Sequence, residues 1–92
     1  MIWFLIHGFV FQGGNVRILE LLVKAGADIN VQGGKLNLSP LMYAAYKGHA
    51  DAVRFLKNNG ADLYLEDNNG NTALDLAELQ NNVEISKILR EK

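Results

Sequence analysis

The chain has 92 residues, 49% of them hydrophobic and 21% charged, which fits one small globular domain and not a disordered chain. Nine basic and ten acidic side chains leave a net charge of -1, which argues against the basic face that nucleic-acid binding requires. The absence of cysteine rules out disulfide scaffolds, thiolate metal sites and cysteine nucleophiles.

Residues 1–16 carry no charged side chain, and nine of the first eleven are apolar. The run ends at Gln12-Gly13-Gly14-Asn15, short of the roughly 20 apolar residues that a membrane-spanning helix needs. No basic n-region or small-residue cleavage site marks it as a signal peptide. We read it as a buried first helix and expect no membrane partner and a cytoplasmic location. Left exposed, Trp3, Phe4, Phe9 and Phe11 would form an adhesive patch suited to self-association.

Beyond that segment the chain repeats. Gly26-Ala27-Asp28 returns as Gly60-Ala61-Asp62 after 34 residues, and the stretch from Ser39 returns after 33, with Leu41 on Leu74, Ala44 on Ala77 and Leu56 on Leu89. The unit reads as helix, turn, helix and glycine-ended loop. Ser39-Pro40 starts a helix running to about Lys47, because serine caps free amides and proline fits the first helical position. Gly48-His49 breaks it, and a second helix follows over about 50–58. Gly60 ends that helix in the left-handed conformation, which costs a glycine nothing in Cβ strain. In the third unit Thr72 and Asp75 form a capping box. The second helices place Ile18, Leu21 and Leu22, then Ala52, Phe55 and Leu56, then Ile85, Ile88 and Leu89 on one face. Their other face is charged, with spacings suited to the pairs Arg17–Glu20, Glu20–Lys24, Asp51–Arg54 and Glu84–Lys87.

These residues resemble the ankyrin repeat. The middle unit shows it best, in Ser39-Pro40-Leu41-Met42, Ala44-Ala45, Gly48-His49, Phe55-Leu56 and Gly60-Ala61-Asp62, and the third in Asp67, Gly70, Thr72-Ala73-Leu74 and Leu76-Ala77. The resemblance covers about residues 14–92. It implies an all-α solenoid of stacked helix-turn-helix units with short β-hairpin-like loops. One domain would span 1–92, in units of about 3–36, 37–69 and 70–92. Met42 stands where the motif has histidine, Asn37 where it has a turn glycine, and Asn81-Asn82 where it has Gly-His. The Gly33-Gly34 tip is one residue longer than usual. Since about three units are needed for stability, the stack is near its minimum.

No catalytic, cofactor or metal site is expected. His49 reads as a hydrogen-bonded junction residue, and His7 has no Cys, Asp or Glu within twelve residues. The Gly-Gly pairs lack a phosphate-loop ending. Asp67–Asn71 lacks the acidic spacing and closing glutamate of a calcium loop and reads as a turn. The resemblance implies a non-catalytic scaffold that binds a partner protein through hairpin tips and the concave face. That surface would offer Lys35, Leu36 and Leu38 on one tip and Glu66, Asn68, Asn69 and Asn71 on the next. Tyr46, Lys47, Leu79 and Gln80 would line it from the ends of the first helices, with Tyr46 as anchor. A structural or self-associating element, or a piece of a larger repeat protein, is the alternative.

Overall fold

The computed structural model describes residues 16–91. Expectations for the N-terminal apolar segment, including the first helix of unit one and the patch at Trp3, Phe4, Phe9 and Phe11, lie outside them. Five helices follow in order: α1 Val16–Lys24, α2 Pro40–Lys47, α3 Ala50–Asn58, α4 Ala73–Leu79 and α5 Val83–Arg90. The only β-type pairing among the described residues is an isolated antiparallel bridge between Gly33 and Leu38 at the base of the first tip.

Local chemistry sets the helix ends where the sequence places them. The Ser39 hydroxyl accepts the Met42 amide at 3.2 Å, with Pro40 in the first turn. The Thr72 hydroxyl accepts the Asp75 amide while the Asp75 carboxylate accepts the Thr72 amide, which completes the capping box. One device closes α1 through α4. The amide just past each helix bonds three residues back and the next amide bonds five back, as in Gly60 to Lys57 and Ala61 to Leu56. The residue at this joint needs a positive φ. Gly60 supplies it at 86°, and Asn81 does so at 56° in place of the motif glycine.

The first helices α2 and α4 pack on each other, and Ala44, Ala45, Ala73 and Ala77 in them are all nearly or fully buried. Side chains this small let two helix backbones approach closely. Met42, at the motif histidine's place, is 1% exposed and has become a core residue. The second helices α1, α3 and α5 stack in turn behind this layer: α3 packs on α2, α1 and α5, and α5 packs on α4 and α3.

The buried face of the second helices keeps all three expected residues in α5 and is rotated from the sequence expectation in α3 and α1. In α3 it is Ala52, Val53 and Leu56, all 0% exposed, with Phe55 only partly covered. In α5 it includes Ser86 beside Ile85, Ile88 and Leu89. In α1 the fully buried residue is Leu19, whereas Leu21 is 62% exposed. One repeat apart, Leu21, Phe55 and Ile88 grade from 62% exposed through partly covered to 5% exposed along the stack.

The loops form a ladder with the period of the repeat. The Asp62 amide donates to Asn30 Oδ1 at 2.7 Å, and Gln32 Nε2 donates to the Glu66 carbonyl at 2.8 Å. Asn68 donates its amide to the Leu36 carbonyl at 2.9 Å and its Nδ2 to the Lys35 carbonyl at 2.7 Å. The recurring Gly-Ala-Asp explains itself here, since Asp28 and Asp62 each accept the amide two residues on. Asp67 is 7% exposed, and its carboxylate takes the amides of Asn69 and Asn71 at 2.8 and 2.9 Å, so this segment is a closed turn.

Candidate functional site

The first tip and the end of α2 enclose an open groove of about 220 Å³, lined by Gly33, Gly34, Lys35, Leu36, Leu38, Tyr43, Tyr46 and Lys47. The tip turns through Gly34 and Asn37, at φ 79° and 59°, and closes with a bond from the Asn37 amide to the Gly34 carbonyl. This turn leaves Leu36 48% exposed at the tip, facing a Tyr46 that is 44% exposed on the last turn of α2. Lys47 Nζ lies 5.6 Å from the Tyr46 ring centroid and 6.0 Å from that of Tyr43. A cation over an aromatic face is attracted by the ring quadrupole. The lysine charge is thereby held at the groove's rim.

Five of the eleven residues expected on the binding surface line this groove: Lys35, Leu36, Leu38, Tyr46 and Lys47. Leu38 belongs to it only as floor. It is 8% exposed and packs in the core, because the bridge to Gly33 turns it inward ahead of α2. Asn71 and Leu79 sit apart, in a shallow hollow with Asp75 and Glu78. Asn68, although exposed, spends its side chain on the neighbouring tip and acts as a strap. Glu66, Asn69 and Gln80 are exposed and line neither depression. Sequence reasoning missed Gly33 and Gly34 as groove wall and Tyr43 as its half-buried base.

The side formed by the second helices is different in kind. Arg54 bridges Asp51 in its own helix at 3.4 Å and Glu84 of α5 at 3.2 Å. Glu84 thus pairs across the units instead of with Lys87, and Glu20 and Lys24 do not pair with each other. Arg90 is paired with Glu78, and Lys57 Nζ donates to the carbonyls of Ile88 and Glu91 at the end of α5. Arg54 and Lys57 thereby tie the middle unit to the third, while the Arg90–Glu78 pair stays within the third. His49 starts α3 with no side-chain cap bond; its hydrogen bonds in the junction run through the backbone, its amide donating to Ala44 and its carbonyl accepting from Val53. Among the described residues no group of three His, Cys, Asp or Glu side chains could hold a metal ion, and no helix is long and apolar enough to cross a membrane.

The family model of ankyrin repeats (3 copies) matches residues 6–92. The chain belongs to the ankyrin repeat family. It is 41% identical over 68 residues to ankyrin repeat and SAM domain-containing protein 6 of Rattus norvegicus, covering 74% of this chain and 8% of the relative. It is 38% identical over 82 residues to potassium channel AKT2/3 of Arabidopsis thaliana, covering 87% of this chain and 10% of the channel. A third relative is the DExH-box ATP-dependent RNA helicase DExH2 of Arabidopsis thaliana, at 44% over 76 residues, covering 80% of this chain and 5% of the helicase. The chain thus spans a tenth or less of these relatives. Ankyrin repeats generally mediate protein–protein interaction and are typically non-catalytic.

Proposed function

We propose that this chain is a non-catalytic module that docks a partner protein on its concave side, with the Leu36–Tyr46 groove as the anchoring point. The observation that carries this reading is the contrast between the two faces. On the side of the second helices Arg54, Lys57 and Glu84 tie the middle unit to the third, while at the first tip and the end of α2 a leucine and a tyrosine stand exposed across an apolar slot. Tyrosine buries a large area at low entropic cost and dominates interface energetics when it fills or forms a pocket. The relatives support a binding role over any one chemistry. A SAM-domain protein, a potassium channel and an RNA helicase share by name no reaction and no substrate, yet each matches this chain. The repeat is the common part.

Affinity capture from the cell of origin tests the proposal. The native chain, a Leu36→Ala/Tyr46→Ala variant and an Arg54→Ala/Lys87→Ala variant serve as parallel baits. Proteins retained by the first and third and lost by the second are the expected outcome. Partners lost only with Arg54 and Lys87 would move the site to the face of the second helices.

A further inference from the structure

We propose that the groove selects a linear segment of its partner in which one leucine or aromatic side chain stands beside aspartate or glutamate. This rests on the docking role just proposed and adds the chemistry of the occupant. The first observation is size. At about 220 Å³ the groove falls below the roughly 300–1,000 Å³ usual for small-molecule sites, so it suits one inserted side chain better than a cofactor. The second is lining. Leu36, Leu38, Tyr43 and Tyr46 offer apolar surface, while Gly33 and Gly34 leave one wall as bare backbone that an extended peptide can approach.

The third observation is charge, and it names the flanking residues. Both charged residues of the lining, Lys35 and Lys47, are cations, and no carboxylate lines the groove. Among the described residues neither lysine forms an ion pair, whereas Arg54 and Arg90 do. Lys47 is kept at the rim by the two tyrosine rings. The Lys35 end is fixed too, because Asn68 grips the carbonyls of Lys35 and Leu36 from the next tip. A rim that carries two cations around an apolar slot complements an anchor side chain with acidic neighbours. It disfavours a basic segment, which would bring like charges together. Fixing the tip beforehand also lowers the ordering cost of binding.

Selection of short random displayed peptides on the immobilised full chain tests this. Parallel selections use Leu36→Ala/Tyr46→Ala and Lys35→Glu/Lys47→Glu, with each variant's thermal melt checked first. The native chain should enrich peptides with a leucine, phenylalanine or tryptophan next to Asp or Glu, and the charge-reversed chain should enrich Lys or Arg instead. A synthetic copy of the leading peptide should bind about fivefold more weakly to Lys35→Gln/Lys47→Gln, the loss expected from two exposed ion pairs. Its affinity for the native chain should fall as salt rises. Peptides that need Leu36 and Tyr46 but show no acidic enrichment would overturn the acidic preference and leave the groove in place. Peptides indifferent to Leu36 and Tyr46, or no binders above background, would overturn the docking role with it. Oligothymidine that binds through the same lysines and tyrosine more tightly than any peptide would replace the protein segment with a nucleic acid.

Discussion

Leu56→Ala should be among the most damaging single changes, and Leu21→Ala among the mildest. Both remove the same atoms from a second helix. Leu56 is 0% exposed in the middle unit, whereas Leu21 is 62% exposed. Losing three buried carbons at about 0.8 kcal/mol each costs about 2.4 kcal/mol. The cavity adds to this, because α2, α3 and α5 cannot all close over one gap, and about 3–4 kcal/mol in total is reasonable within the range seen for such truncations. A chain of this size has about 5–14 kcal/mol of stability, so the variant loses a large fraction of it. Leu21→Ala should stay within about 0.5 kcal/mol. Urea unfolding followed by helical circular dichroism measures both, with an unchanged slope confirming a change in stability alone. Equal losses for the two would refute the register of the second helices, and a loss below about 0.5 kcal/mol for Leu56 would place it outside the core.

Gly60→Ala should cost about 1–2 kcal/mol in the same assay, since φ is 86° and an added Cβ meets nothing within 4 Å, so the cost is conformational only. Asn68→Ala should cost about 0.5–1.5 kcal/mol through its lost bond to Lys35, and hydrogen exchange should quicken at the first tip. Lys57→Met keeps the alkyl stem but removes the bonds to Ile88 and Glu91; it should cost about 1 kcal/mol and fray the end of α5 in hydrogen exchange. Arg54→Ala should cost under about 1 kcal/mol, less still at high salt, because its two ion pairs are exposed.

The helix ends were legible in the sequence because caps are local. Ser39-Pro40, the Thr72–Asp75 pair and the glycines after each helix act over three to five residues, and the structure puts the helices of units two and three where those signals place them. The rotation of α3 and α1 was not legible. Phe55 and Val53 are both apolar and two positions apart, and only the neighbouring unit decides which of them is enclosed. Exposure of Leu21 is the same effect at one end of the described stack. The groove was half legible. Tyr46, Leu36 and the two lysines stood out as residues with no structural duty, while Leu38 and Asn68 looked alike until their partners were known. Leu38 turned inward as hairpin floor, and Asn68 proved to bond a carbonyl 33 residues away. A recurring 33-residue offset between polar loop residues was the available signal for that strap.

Amide chemical-shift mapping of the full chain, titrated with a selected peptide or a captured partner, tests the docking claim most directly. It reads the site residue by residue without any mutation. The largest shifts should fall on Lys35, Leu36, Tyr46 and Lys47, with Asp51, Arg54 and Lys87 unmoved. Shifts centred on those three residues of the second helices, with the tip and the end of α2 silent, would contradict it.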